Sequence, residues 1–264
     1  KIYSPSSTLQ FQQCPRLWQL SRQGWRSRVI GNPDLAAAVG IGFGKAMEVY
    51  FQSGREGIDQ AIEAGIETGM ASVDTRIAQG AVITPSCEKT YDLIPKRIEK
   101  AVKGFHKNYP IPSDWSAHLT ELTFPDHGNS RADLLSQTDM GPCITDFKTK
   151  VTGADYIVDN FMFDAEYSWQ LYHYAFACRA MRIPVQSVAI CLVVIEPLNI
   201  RLDQWMIDED RMEKWMSDAL YWWQQMETAE QMIEKCASHQ LPGVGDHRNK
   251  YGLCPMYKTC IDRQ

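Results

Sequence analysis

The chain has 264 residues, of which 44% are hydrophobic and 22% charged, and its formal net charge is −5. This composition is ordinary for a globular protein, and the charge excludes a protein that coats nucleic acid by bulk attraction. No apolar run approaches the roughly 18 to 20 residues needed to cross a bilayer, and no signal peptide is visible at the first residues. We therefore expect a cytoplasmic protein without a membrane partner, and any binding to nucleic acid would be weak and salt-dependent.

The first hundred residues are predicted to be mainly helical, because apolar residues recur near helical spacing. Gly40, Gly42 and Gly44 lie within the second predicted helix, where glycine costs helix stability. We therefore expect a close packing contact to require them. The predicted helices are Ser6–Ser21, Leu35–Phe51, Gly57–Ser72 and Lys89–Tyr109.

Short strand-like segments separated by turn residues follow after residue 115. One of them, Val185–Ile195, is nearly all apolar and is predicted to be an interior strand. The other predicted elements are strands Ala117–Phe124, Ser130–Ser136, Cys143–Thr149 and Ile200–Met206, and helices Asp164–Met181 and Asp208–Cys236. The pattern predicts an α/β fold in one domain over 1–264, with a mainly helical part at 1–110, a core at 115–238 and a loop-like tail at 239–264.

Two acids and a lysine carry the strongest chemical signal. Asp146 and Lys148 are two apart on a predicted strand, so their side chains share a face. Asp133 lies on the preceding strand, and a short turn between the two strands can bring it within metal-bridging distance of Asp146. Two carboxylates suit Mg²⁺ or Mn²⁺, which phosphodiester cleavage can use. Lys148 could orient the attacking water or stabilise charge on the phosphate, and the carbonyl of Ile144 or Thr145 could add a ligand.

The helix after this strand offers two further candidates. Gln170 and Tyr174 are four apart and share a helix face. Gln170 could hydrogen-bond the water or the phosphate, and Tyr174 could contact the DNA backbone. Taken alone, Tyr174 is better explained as a half-buried aromatic residue, and an Asp-x-Lys pair as a solvated strand face. Apolar Ile144 beside Asp146 favours a functional pair instead.

Eight cysteines are present. In a chain of this size without a signal peptide, cysteines are more often buried, metal-binding or catalytic than joined in disulfides. Cys143, Cys178 and Cys191 lie in apolar segments and are predicted to be core residues. The other five are Cys14, Cys87, Cys236, Cys254 and Cys260.

Two basic clusters are candidates for contact with phosphates. One is a helical stripe for which a solvated face is an equally good explanation; it consists of Lys96, Arg97, Lys100, Lys103 and Lys107. The other surrounds Trp18 and Trp25, which are better explained as core residues; its members are Arg16, Arg22, Arg26 and Arg28.

Several short motifs follow one another along the chain. They are Ser6 to Arg16, Gly40 to Glu48, Glu121 with Arg131-Ala132-Asp133, Asp146-Phe147-Lys148, Gln170 to Tyr174, and Cys254 with Cys260. In type and order they resemble those of the RecB-like nucleases in the PD-(D/E)XK superfamily, including its CRISPR-associated and AddB-type iron–sulfur members. Each motif is weak alone, and the order over one chain makes the case.

The resemblance implies a restriction-endonuclease-like core, which is a mixed central sheet flanked by helices, with an added N-terminal helical region. It implies that Asp133 and Asp146 bind the metal, that Lys148 assists the water, and that Gln170 and Tyr174 support the substrate.

One departure from the family concerns the metal. Gly44 occupies the position where many relatives have a metal-binding histidine. Glu48, one turn further along the same helix, is a tentative substitute ligand.

The resemblance also implies a [4Fe–4S] cluster that ties the tail to the first helix and so restricts the unfolded chain. Its candidate ligands are Cys14, Cys254 and Cys260. Relatives have a further cysteine where Tyr251 stands, whereas such a cluster normally takes four thiolates. Cys236 is a candidate for the fourth. A different fourth ligand, a zinc site and no cluster at all stay open.

The expected function is that of a Mg²⁺- or Mn²⁺-dependent deoxyribonuclease. The resemblance implies an exonuclease that acts on single-stranded DNA ends in recombination, repair or CRISPR adaptation, because relatives thread a strand past the site. A helicase, a recombination protein or a CRISPR-adaptation protein is the expected partner. The alternative is a catalytically weak DNA-end-binding or scaffold subunit that is active only with a partner.

Overall fold

The structure is a computed structural model, and it describes residues 1–23, 35–108, 119–153, 158–162, 168–235, 248–249 and 252–253. The chain divides into two compact units. The first consists of Lys1–Ile30, Phe124–Ser130 and Glu209–Gln264, and the second of Gly31–Thr123 and Arg131–Asp208. The expectation of one domain over 1–264 stays a prediction. Within the described residues, no helix has the length and apolar character that crossing a membrane requires.

Helices occupy most of the described residues before the first strand. They are α1 (Pro5–Gln13), α2 (Pro15–Arg22), α3 (Leu35–Ser53), α4 (Ile58–Ala78), α5 (Pro85–Asp92) and α6 (Ile94–Asn108), with a 3₁₀ turn at Arg55–Gly57. The packing reason expected for the glycines of α3 is confirmed for Gly42, where a Cβ atom would lie 2.6 Å from the carbonyl oxygen of Gly65. It is wrong for Gly44, since a Cβ atom there would meet nothing within 4 Å.

Two predicted helices are each divided in the structure. The prediction of one helix over Ser6–Ser21 is wrong, because Cys14 has an extended backbone with φ −162° and ψ 104°. A residue before proline is pushed out of the helical region, and Pro15 then begins α2, where proline is well tolerated. The predicted helix Lys89–Tyr109 overlaps α5 and α6, and Pro95 lies at the second residue of α6.

Five strands form a mixed sheet in the order β1-β2-β3-β4-β5. They are β1 (Leu119–Phe124), β2 (Ser130–Thr138), β3 (Gly141–Thr152), β4 (Ser187–Glu196) and β5 (Asn199–Met206). β3 is antiparallel to β2 and parallel to β4, and β4 is antiparallel to β5. The chain also forms α7 (Trp169–Ala180), α8 (Glu209–Lys235) and a short pair of strands, β6 (Arg248–Asn249) and β7 (Gly252–Leu253). The predicted α/β class is confirmed.

The second unit has its core on one face of this sheet. β4 is buried along nearly its whole length, so the prediction of an interior strand is confirmed. Phe147 of β3 packs against Phe43, Phe51 and Phe105, with ring centroids 5.9–6.3 Å apart. The helices α3 and α6 therefore cover the Phe147 face of β3, and the residues that flank Phe147 in the chain point to the opposite face.

The first unit is built around Trp18, which is fully buried. Its indole N–H donates a hydrogen bond to the Ser7 hydroxyl at 2.8 Å, and its ring meets Phe11 edge-on at 5.1 Å. The Trp223 indole of α8 donates to the Thr8 hydroxyl at 3.3 Å. The prediction that Trp18 is a core residue is confirmed, whereas Trp25 lies outside the described residues.

Candidate active site

The site begins where the pairing of β2 with β3 ends. Leu134 lies opposite Thr145 in the antiparallel ladder, and the same register, continued by one residue, places Asp133 opposite Asp146. The Phe147 N–H donates a hydrogen bond of 2.8 Å to the Asp133 carboxylate. A side-chain oxygen thus takes the place of the next ladder acceptor, and it holds Asp133 against β3.

Asp146 and Lys148 lie together on one face of β3, as their spacing predicts. The Lys148 ammonium lies 2.6 Å from the Asp146 carboxylate. Asp146 is almost fully buried, whereas 37% of the Lys148 side chain is exposed. The acid therefore lies inside the fold, and the lysine extends from it toward solvent.

Gln170 and Tyr174 of α7 complete a continuous chain of contacts. Lys148 donates to the Gln170 side-chain oxygen at 3.2 Å, and the Gln170 amide donates to the Tyr174 hydroxyl at 2.5 Å. Burial raises the pKa of Tyr174, and the nearby Asp146 carboxylate raises it further. The structure brings these predicted residues together. Gln170, which was expected to hydrogen-bond the water or the phosphate, accepts a hydrogen bond from Lys148 in this structure.

The two aspartates repel each other inside the fold. Burial is the main cause that raises the pKa of both Asp133 and Asp146. The Phe147 N–H and Lys148 act against this for Asp133, and Lys148 does so for Asp146, whose pKa the Asp133 charge raises. The pKa of each carboxyl stays raised although Lys148 and Arg131 lie near. Such a pair fits a hard divalent cation, which would offset the repulsion.

A third acid, Glu121, adjoins this pair. Its carboxylate forms an ion pair with Arg131. Burial raises its pKa, and the charges of Asp133 and Glu48 add to that effect. Glu48 itself pairs with Lys45 at 2.8 Å. Glu121 also has φ 55°, a conformation that is uncommon outside glycine and recurs at functional sites.

The motifs of the resemblance include Glu121 and Arg131 but imply no role for either residue. The turn Asp126-His127-Gly128-Asn129 between β1 and β2 is a sequence signal that could have paired them. Opposite charges on neighbouring strands of a hairpin attract each other. The sequence shows that Glu121 and Arg131 have opposite charges, but it does not show the register of β1 against β2.

Within the described residues, no three side chains of His, Cys, Asp or Glu lie close enough to hold a metal ion together. Glu48 is therefore not grouped with Asp133 and Asp146. Ile144 and Thr145 are paired with β2 on one side and with β4 on the other, and a ligand role for either carbonyl stays a prediction. The ladder bonds of a central strand use such carbonyls.

The predicted cluster cysteines are described only in part. Cys14 is half-buried, and its sulfur accepts a hydrogen bond from the Leu17 N–H at 3.4 Å, so it caps α2. Cys236, Cys254 and Cys260 lie outside the described residues. The prediction that Cys143, Cys178 and Cys191 are core residues is confirmed by their burial.

The basic stripe of α6 is largely exposed. Lys96, Lys100, Lys103 and Lys107 face solvent. Two members of the stripe are ion-paired, Lys103 with Glu99 and Arg97 with Glu196. Of the other basic cluster, Arg26 and Arg28 lie outside the described residues.

The sequence matches the PD-(D/E)XK nuclease superfamily over residues 2–256. No curated protein matches it. Seven chains of solved structures match. The crystal structure of SSO0001 is similar at 12% sequence identity and a TM-score of 0.27, over 78% of this chain and 82% of that chain. The family match spans every residue of the site described above.

Proposed function

This chain belongs to the PD-(D/E)XK nuclease superfamily, and we propose that it is a metal-dependent deoxyribonuclease, an exonuclease that hydrolyses single-stranded DNA from its ends. Members of the superfamily are typically nucleases and generally use divalent metals such as Mg²⁺. The observation that carries the proposal is the buried pair Asp133 and Asp146 beside the partly exposed Lys148, at the place where β2 and β3 separate.

Three oxygen donors are proposed to hold Mg²⁺ or Mn²⁺. Two are the carboxylates of Asp133 and Asp146. The third is the Phe147 carbonyl, because the N–H and C=O of one strand residue point to the same edge and the Phe147 N–H points to Asp133. Mg²⁺ is commonly bound by one or two carboxylates together with substrate phosphate. A cation bound here would supply an activated water molecule and stabilise charge on the phosphate.

Lys148 is proposed to act on the reacting phosphate or on the water. Its side chain is the partly exposed member beside buried Asp146, and a fixed cation stabilises the charge that develops during hydrolysis. Gln170 and Tyr174 are proposed to be positioning residues. Gln170 accepts a hydrogen bond from Lys148 and is itself held by Tyr174, so the pair restricts where the ammonium can lie.

The test is cleavage of labelled DNA by the purified chain, with Mg²⁺, with Mn²⁺ and with EDTA. The substrates are end-labelled single-stranded DNA, end-labelled duplex DNA and circular single-stranded DNA. We expect metal-dependent release of nucleotides from the linear single strand and an intact circle. Cleavage of the circle would replace the exonuclease proposal by an endonuclease. An absence of cleavage of every substrate would overturn the nuclease.

The second candidate is a DNA-end-binding or scaffold subunit that is active only with a partner. The lack of a third acidic or histidine ligand within the described residues favours it, as does Gly44 at the position of the family's histidine. Retained binding of end-labelled DNA without cleavage would select this candidate. A helicase, recombination or CRISPR-adaptation partner and a cytoplasmic location stay predictions.

A [4Fe–4S] cluster on Cys14, Cys254, Cys260 and a fourth ligand is a separate proposal from the resemblance. Thiolate ligation would give the protein a brown colour and stoichiometric iron. Anaerobic purification followed by iron, sulfide and zinc analysis tests it. A stable, colourless protein without iron would overturn the cluster, and one zinc ion per chain would replace it by the zinc site.

A further inference from the structure

The site face of β3 continues beyond Lys148. Asp146, Lys148 and Lys150 are alternate residues of one strand, so their side chains point to the same face. Lys150 lies roughly 7 Å beyond Lys148 along the strand, a distance comparable with the spacing of successive phosphates in a DNA strand. The face also opens in this direction, from buried Asp146 to half-buried Lys150 and exposed Thr152.

The two lysines differ in what holds their charge. Lys148 is neutralised by Asp146. The Lys150 ammonium instead lies over the ring of Phe161, 4.6 Å from its centroid. Within the described part of the chain, no carboxylate forms an ion pair with Lys150. A cation over an aromatic face is held in place and keeps its full charge, so Lys150 offers a positioned charge to an anion.

The segment at 158–162, which carries Phe161, is itself anchored on this face. Val158 and Met162 are buried, and Asp159 forms an ion pair of 2.5 Å with Arg201 of β5. Arg201 lies in the same row of the sheet as Lys148, because Leu192 is paired with both.

Arg201 is also bound by Asp203, at 2.8 Å. Its charge is therefore neutralised by two carboxylates. Of the cations that the described residues of β3 and β5 place on this face, Lys150 is the one without a carboxylate partner.

We propose that Lys150, positioned by Phe161, binds the DNA phosphate next to the scissile one. The substrate strand would then run along the C-terminal half of β3, with one phosphate at Lys148 and its neighbour at Lys150. This inference rests on the proposed nuclease function, since it places the scissile phosphate at Asp146 and Lys148. It adds a second phosphate subsite, with Lys150 as the binding residue and Phe161 as the positioning residue.

The first test measures binding of a fluorescent single-stranded oligonucleotide against salt concentration, in an Asp146→Asn background that prevents hydrolysis. Each neutralised phosphate of a single strand contributes about 0.7 to the slope of log affinity against log salt. Lys150→Gln should lower that slope by about 0.7 and weaken binding about tenfold. Lys150→Arg should retain the slope, since it retains the charge.

Two further variants separate charge from position. Phe161→Leu should weaken binding by about threefold and leave the slope unchanged, because the charge is still present. Lys89→Gln removes an exposed lysine from α5, which packs against α6, and should change neither quantity. Thermal unfolding of each variant checks that the fold is retained. Equal slopes for the parent protein and Lys150→Gln would overturn the subsite.

The second test removes the charge from the DNA instead of the protein. Oligonucleotides with one neutral methylphosphonate at each position around the scissile bond are digested by the wild type and by Lys150→Gln. At the adjacent position the two proteins should be equally slow, whereas at distant positions the variant should be about tenfold slower. A constant difference at every position would overturn the proposal.

The binding test also distinguishes failure of the nuclease proposal from failure of the phosphate subsite. If the wild type cleaves no DNA but Lys150→Gln still lowers the salt slope, the nuclease proposal fails and the phosphate site stands. If the wild type cleaves and Lys150→Gln has the same salt slope and affinity as Lys89→Gln, the nuclease stands and the subsite fails.

Discussion

The two faces of β3 differ in chemistry: one is apolar and the other carries charged side chains. On one face, Phe147 packs with the phenylalanines of α3 and α6. On the other, Asp146 and Lys148 join α7 through Gln170. Because side chains alternate along a strand, a slip of one residue would expose the ring and bury the ammonium. The apolar contact therefore fixes the register of the chemical groups on either side of it.

The Phe147 face of the sheet stabilises the folded state, whereas the site face destabilises it. Aromatic packing on the Phe147 face lowers the free energy of the folded state. The site face keeps two like-charged acids, Asp133 and Asp146, out of water, which burial makes unfavourable. Substitutions on the two faces should therefore move activity and stability in different ways.

The largest expected effect is on the site face. Lys148→Ala should lower the rate of DNA hydrolysis at least about 100-fold, because the cation beside Asp146 is lost. Folding and DNA binding should be largely retained. Rates of nucleotide release with Mg²⁺ measure this, with Lys89→Ala as the control. Full activity in Lys148→Ala would refute its assignment.

On the other face, Phe147→Ala should cost stability. The side chain contacts three phenylalanine rings, and loss of such a packed aromatic costs about 3 kcal/mol. Urea unfolding followed by circular dichroism measures the change. Phe147→Leu, which keeps apolar volume, should cost clearly less. If Phe147→Ala unfolds at the wild-type urea concentration, the ring does not fix the register of β3.

A smaller effect should appear as a pH dependence of the metal-free protein. Burial is the main cause that raises the pKa of Asp146 from 3.8 to about 6. Between these values the folded state holds more protons than the unfolded state, so stability falls as pH rises. Above pH 6 the full cost, on the order of 3 kcal/mol, is present.

Asp146→Asn removes that titration. Its stability relative to the wild type, measured by urea unfolding in EDTA, should therefore increase from pH 4 to pH 7. If the stability difference between Asp146→Asn and the wild type stays constant from pH 4 to pH 7, burial of the Asp146 charge does not destabilise the fold.

The smallest effect concerns two glycines of α3. Gly42→Ala should destabilise the protein by at least about 1 kcal/mol, because its Cβ atom would meet the fixed Gly65 carbonyl and Ile98. Gly44→Ala has open space and should gain up to about 1 kcal/mol from helix propensity. Thermal unfolding of the two variants checks the sign of each change. Equal changes would show that α3 does not discriminate between its packed and open sides.

Much of the site face could be predicted from local sequence. Strand alternation alone places Asp146 and Lys148 on one face, and the short turn before β3 pairs their strand with that of Asp133. The interior position of β4 follows from its apolar run. These features depend on backbone periodicity and on pairing between neighbours in the chain, which a sequence displays directly.

Other features depend on tertiary packing and could not be predicted. The contact of Gln170 with Lys148 joins residues of different elements, and the sequence suggested substrate as the partner of Gln170. The effect of the Asp133 charge on the pKa of Glu121 depends on the register of β1. The break between α1 and α2 at Cys14 could have been predicted from the sequence, because Pro15 disfavours a helical conformation at the residue before it. The regular apolar spacing across this point favoured one continuous helix instead.

The measurement that tests the central claim most directly is Mn²⁺ binding followed by electron paramagnetic resonance, for the wild type, Asp133→Asn and Asp146→Asn. If the two aspartates hold one cation where β2 and β3 separate, the wild type should bind one Mn²⁺ per chain. Each variant should then bind it at least about tenfold more weakly. Equal Mn²⁺ affinity in all three proteins, or no binding by the wild type, would contradict the account.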